Sequence, residues 1–205
     1  MITLVIGNGE SRKSLDLNSL SQNIIIGCNA LHRDIAVDHL VCCDRRMMDE
    51  ATQSPNTLNT KIYARQDWFR YYRKIKKDKR INQVPELPYK ERNTKADDPI
   101  HWGSGPYAVL LSAHQQPKEI KLLGFDLYPT NNKINNVYKN TPNYGKSDSR
   151  PVDYNFWEYQ ISKVFSSFPD KNFTIVNNKD WKMPKRWQLA NVSFEILESK
   201  NLTFA

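Results

Sequence analysis

The sequence has no run of about 18 apolar residues, so nothing in it is long enough to cross a bilayer as a helix. Its opening, MITLVIGNGE, has no basic leading region, and its apolar run is too short for a signal peptide. A cytoplasmic location is therefore expected. Cysteine is scarce, with Cys28, Cys42 and Cys43 as the three examples. An odd count with two adjacent is no disulfide framework and has no zinc-ligand spacing, so these read as small core residues. The four histidines, His32, His39, His101 and His114, also lack metal spacing. No metal site is expected. No G-x-S-x-G elbow or Cys/His protease signature occurs, which argues against hydrolysis by an activated Ser or Cys. A P-loop is missing, and so is an internal repeat.

The 205 residues suit one domain with a lid or tail. Apolar content of 39%, charged content of 25% and aromatic content of 11% are those of a packed globular chain, too rich in large rings for disorder. The net charge of +8 is unevenly spread. Residues 65–80 carry Arg65, Arg70, Arg73, Lys74, Lys76, Lys77, Lys79 and Arg80 against Asp67 and Asp78. Such a block either faces solvent or meets an anionic partner: nucleic acid, a phosphorylated sugar or lipid, or an anionic surface.

Short apolar runs without polar alternation mark buried parallel strands. They fall at 3–6, 23–27, 39–43, 119–124 and 173–176, with a further strand at 61–64. Helical spacing covers 45–52, 105–115 and 152–168, and Ser14 or Asp16 can cap a weak helix after the first strand. Trp68–Arg80 reads as a basic, aromatic helix. Residues 81–100, with three prolines, read as a loop, so 66–100 forms a basic excursion. Residues 126–151 are rich in Asn, Tyr, Lys and Pro, and read as a mobile lid loop. The nucleotide-binding α/β domain is expected over 1–180, with 181–205 packed on it as an extension. Strands alternating with helices give a doubly wound, mostly parallel Rossmann-like sheet. Ligands of such sheets sit beyond the carboxyl ends of the strands, where strand order reverses.

The candidate site residues lie at those ends. Gly7-Asn8-Gly9-Glu10-Ser11 follows the first strand, where glycines let backbone amides approach an anion. Arg12 stands where a third glycine would complete G-x-G-x-x-G, so a plain tight turn is the alternative reading. Asn29 closes the second strand and offers both a donor and an acceptor, or simply forms a turn. Asp44 closes the third, as a ribose or metal ligand or as a helix cap. Gly103-Ser104-Gly105 opens a helix as an anion nest or an N-cap. Asp126 ends the strand at 119–124, beside the same cleft. His101, two residues before the Gly-Ser-Gly turn, is the best-placed histidine.

Taken together, Val5-Ile-Gly-Asn-Gly-Glu-Ser, Cys28-Asn29, Gly103-Ser104-Gly105-Pro-Tyr and Lys118-Glu-Ile-Lys-Leu-Leu-Gly-Phe-Asp-Leu-Tyr128 resemble the bacterial lipooligosaccharide-type sialyltransferases. They are also similar to the 6-hydroxymethylpterin diphosphokinase-like proteins. The resemblance spans about residues 2–177 in short motifs. It implies that Gly7, Asn8, Gly9, Ser11, Asn29, Ser104 and Gly105 hold the cytidine monophosphate of a donor. It further implies that Tyr128 steadies the leaving phosphate and that a lid covers about 129–147. The sialyltransferase base is a His just before the helix at 152–168. Here that stretch reads Lys146-Ser-Asp-Ser-Arg-Pro151, so Asp148 or His101 has to serve instead.

Three functions follow as expectations. The first is a glycosyltransferase-like enzyme that uses a nucleotide-sugar donor of the CMP type without a metal cofactor. The second is an ATP-dependent pyrophosphokinase of the pterin type, with Mg²⁺ held by Asp44 and Asp126. The third is a nucleic-acid-directed protein that uses 65–80, with Trp68, Phe69, Tyr71 and Tyr72 available for base stacking. Assembly into an oligomer is compatible with all three.

Overall fold

A computed structural model describes residues 2–20, 22–117 and 119–198. Its centre is β1 (Ile2–Ile6), a run of β-branched and aliphatic residues. Val5 faces one apolar cluster, and Leu4 and Ile6 face another. A strand buried on both faces needs no polar alternation, and this one has none. The strands β2 (Ile24–Cys28), β3 (His39–Val41), β4 (Lys61–Ala64), β5 (Ile81–Gln83), β6 (Glu119–Leu123), β7 (Phe173–Asn177) and β8 (Val192–Ile196) complete the sheet. Their order is β5-β4-β3-β2-β1-β6-β7-β8, and every pairing is parallel. Order reverses between β1 and β6, so the switch point lies beyond Ile6 and Leu123.

The helices α3 (Ser104–His114) and α4 (Asn155–Ser167) cover one face, through Leu110, Ile161, Val164 and Phe165. The helices α1 (Arg45–Gln53) and α2 (Gln66–Phe69) lie on the other, with Met47, Met48 and Ala51 buried. The fold is thus the expected doubly wound α/β sheet, here wholly parallel among the described residues.

Four local readings are corrected. The weak helix after β1 is instead two short 3-10 turns, Glu10–Ser14 and Leu17–Leu20. The expected helix at 68–80 is only α2 followed by a π-helical turn, Arg70–Ile75, after which Lys77 takes a left-handed φ of 58°. The loop expected over 81–100 contains edge strand β5. The C-terminal extension supplies β8, the strand beside β7, so the sheet runs past residue 180; residues 199–205 of that extension lie outside the described residues.

The extension also closes the core. Trp187 is fully buried against Phe165, its ring centroid 5.5 Å away, and its indole N–H donates to the Glu158 carbonyl at 2.9 Å. Replacing it removes a large packed ring and one hydrogen bond to the backbone of α4. Trp187→Ala is expected to lower unfolding free energy by about 3–5 kcal/mol in urea titrations.

Candidate functional site

The carboxyl ends of β1, β2, β3, β4 and β6 open into one cleft of about 610 Å³. It is lined by Gly7, Asn8, Gly9, Asn29, Asp44, His101, Ser104, Gly105 and Asp126, so the structure brings these sequence candidates together. Ser11, Tyr128 and Asp148 are not among its lining residues. Ser11 is buried beneath the loop, bonded to Asp126. The Tyr128 ring packs against Tyr154 and Trp181, and burial raises its phenol. Asp148 is exposed, so it lacks the desolvation that its expected role as a base required.

The glycine loop needs a correction. The Gly7 and Gly9 amides donate to the Leu123 and Gly124 carbonyls, each at 2.8 Å. The Glu10 amide donates to Asn135 Oδ1 at 2.8 Å and the Ser11 amide to Asp126 Oδ2 at 2.9 Å. The amides of Gly7, Gly9, Glu10 and Ser11 are therefore spent within the fold, and of the loop only the Asn8 amide has no acceptor among the described residues. The Asp126 carboxylate fills the nest, also accepting from the Ser11 hydroxyl and from Asn177 Nδ2. A buried carboxylate is tolerated there because these donors replace its water. The glycines serve close approach: a Cβ on Gly7 would lie 2.5 Å from the Gly124 oxygen, and one on Gly9 would lie 2.4 Å from the Asp126 carboxyl carbon.

On the other side of the cleft the donors stay open. Asn29 sits at a left-handed φ of 49°, so it is a turn residue and a site residue together. The Cys43 amide donates to Ser104 Oγ at 2.9 Å, and that hydroxyl donates to Asn29 Oδ1 at 2.7 Å. This relay sets the Asn29 amide with its NH₂ lacking an acceptor among the described residues. The first turn of α3 has no side-chain cap, and its dipole places positive charge at the cleft. Asp44 caps α1, with Oδ1 accepting from the Met47 amide at 3.0 Å. Its other oxygen has no donor among the described residues. Asp44 and Asp126, the pair suggested for Mg²⁺, are thus tied to α1 and to the glycine loop respectively. Cys28 and Cys43 also line the cleft, and burial pushes both thiols up to about 12, so neither is a nucleophile near neutral pH.

No family model, curated protein or solved structure matches the chain. The site is therefore read from its own geometry, and three residues that sequence reasoning left out of it come forward. Arg65, the residue after β4, carries the one Lys or Arg side chain among the described lining residues. It is steered by the Ile100 carbonyl and by Asp67 at 3.6 Å, and its Nε is buried without a partner. Tyr144 accepts from Asn8 Nδ2 at 3.0 Å. Trp157, with Ile134, Ile100 and Val152, forms an apolar wall. The signal for Arg65 was its place at a strand tip; its membership of a long basic block hid it.

The expected mobile lid is fastened. The Val137 amide donates to the Asn8 carbonyl at 2.9 Å, and the Tyr138 hydroxyl bridges Arg12 and Asp34. Lys139 pairs with Glu10 at 2.6 Å, and Arg33 reaches Thr141 at 2.7 Å. Glu50 accepts from Arg33 and from Asn143 at 2.8 Å.

Two predictions follow from these contacts. In Gly9→Ala the new methyl collides with Asp126, and the variant is expected to lose about 1–3 kcal/mol of stability in urea titrations. Arg33, first, and Asn143 hold the Glu50 carboxyl below its ordinary value of 4.5. A depressed folded-state pKa stabilises above that ordinary value, and the contribution is lost as pH falls through the folded value. Amide-exchange protection at 139–144, corrected for intrinsic rates, is expected to fall as pH drops below 4.5. Glu50→Gln is expected to reproduce that loss at neutral pH.

Proposed function

We propose that the chain transfers a sugar from a nucleotide-activated donor of the CMP type to an acceptor hydroxyl, by direct displacement without a metal cofactor. One observation carries the reading. The Asn29 NH₂ at the tip of β2, the Arg65 guanidinium at the tip of β4 and the uncapped start of α3 converge on one cleft at the switch point, with a carboxylate that keeps a free oxygen.

In this reading the Arg65 guanidinium, the Asn29 NH₂ and the first-turn amides of α3 hold the donor phosphate. They also stabilise the charge that grows on it as the bond to the anomeric carbon breaks. The free oxygen of Asp44 accepts from ribose hydroxyls. The apolar wall of Ile100, Val152 and Trp157 takes the acceptor and excludes water. His101, the one imidazole among the described lining residues, takes the acceptor proton as its oxygen attacks. The cytidine preference comes from the motif resemblance, while the phosphate end comes from these donors.

Thermal-shift titration with CMP, UMP, GMP and ATP tests this. Saturation near 100 times Kd is worth about 2.7 kcal/mol, or roughly 5–10 °C in a chain of this size. CMP is expected to give the largest shift. Arg65→Ala is expected to weaken binding about 10- to 100-fold, the cost of a lost charged hydrogen bond. No shift with any of the four nucleotides overturns the reading.

A further inference from the structure

Outside the cleft, the largest unexplained feature is the cationic surface that starts at its lip. The segment after α2 leaves Arg70, Arg73, Lys74, Lys76, Lys77 and Lys79 exposed. None of them makes an ion pair among the described residues. The nearby carboxylates are already engaged. Asp67 faces Arg65 at 3.6 Å, Asp78 holds Arg80 at 2.6 Å, and Asp49 accepts from the Tyr72 hydroxyl at 2.5 Å and pairs with Arg45. The nearby acids are thus paired, and the surface cations have no ion-pair partner among the described residues. Such a field costs stability through self-repulsion and attracts a polyanion.

This surface is continuous with the cleft. Asp44 lines the cleft, and its neighbour Arg45 lies over the Tyr71 ring at 5.9 Å, with Lys76 over the same ring at 5.7 Å.

The aromatic residues decide what kind of polyanion fits. Tyr72 is buried, and Trp68, Phe69 and Tyr71 pack against the core beneath the sheet. They anchor the segment, and only part of each of the three outer rings is left open, which disfavours a row of stacked bases. An interfacial membrane helix would turn its apolar face outward. Here that face is inside, and Ile75 is the one large aliphatic exposed in the segment, at 69%. What is left is point charge without stacking or insertion, which is the chemistry of contact with a regular phosphate backbone.

We propose that residues 70–79 dock the phosphodiester backbone of a nucleic-acid duplex, beside the cleft and independently of what the cleft binds. The test is anisotropy of a labelled duplex of about 20 base pairs, titrated between roughly 50 and 200 mM salt. Wild type is expected to bind with a steep negative slope of log affinity against log salt. The variant K74Q/K77Q/K79Q removes three side chains that have no hydrogen-bond or ion-pair partner among the described residues and relieves part of their mutual repulsion, so its melting temperature should not fall. Its slope should flatten by about 2–3, since each lost phosphate contact removes about 0.9. No duplex binding at the lowest salt overturns the proposal, as does an unchanged slope in the variant. Tighter binding to the single strand, or to vesicles rich in phosphatidylserine, overturns it in favour of those partners.

Discussion

The junction of β1 and β6 is the constraint on which the rest depends. At the switch point two strand ends leave in opposite directions, and a cleft opens only if both tips are held. Here they are held by backbone: the Gly7 and Gly9 amides continue the ladder onto Leu123 and Gly124. That approach leaves no room for a Cβ on Gly7, and Gly124 takes a φ of 68°, where a side chain would be strained. Asp126 then turns back into the loop and satisfies the Ser11 amide and hydroxyl. One buried carboxylate, compensated by neighbouring donors, fixes the shape of the cleft's central wall.

The consequence is a division of labour that a motif alone does not reveal. A glycine loop after the first strand reads as a phosphate cradle because amides at such loops are often open. Whether they are open depends on residues more than 110 positions away in the chain, namely the tip of β6 and Asn135. Here those residues use the amides. Donors without an acceptor lie instead across the cleft, where Ser104 ties the Cys43 amide to Asn29 and the Asn29 NH₂ has no acceptor among the described residues. The expected strand tips therefore meet at one cleft, while most of the glycine-loop amides are bonded within the fold.

Much of the fold was legible because burial on both faces writes itself into short apolar runs: Thr3–Ile6, Ile24–Ile26, Leu40–Val41 and Leu122–Leu123 can hardly be anything but inner strands. The edges were harder to read. β5 has three residues, and β8 has exposed positions on both faces, so neither carries the apolar signature of a central strand. The contacts of the loop at 126–151 were hard to read for a similar reason. Its asparagines suggest looseness, yet Asn131, Asn132, Asn140 and Asn143 all occupy left-handed conformations that Asn tolerates best after glycine. Its tyrosines look like solvent-facing rings, yet Tyr138 and Tyr144 are tied to Arg12, Asp34 and Asn8. A segment poor in aliphatics can be held by polar bonds together with a few buried rings when its partners come from distant strands, and no local window contains those partners.

Charge shows the same dependence on distant partners. Residues 65–80 form one basic block in sequence, but the fold sorts them into three groups with different physical roles. Arg65 lines the cleft, bonded to the Ile100 carbonyl and facing Asp67 at 3.6 Å. Arg80 turns inward, donating to the Thr52 and Thr57 carbonyls and pairing with Asp78, so it serves as a structural clasp at the entry to β5. The cations between them stay on the surface because the aromatic residues of the segment take the inward positions. Counting charges along the chain merges a site residue, a clasp and a surface field. The side chain each one meets after folding is what separates them.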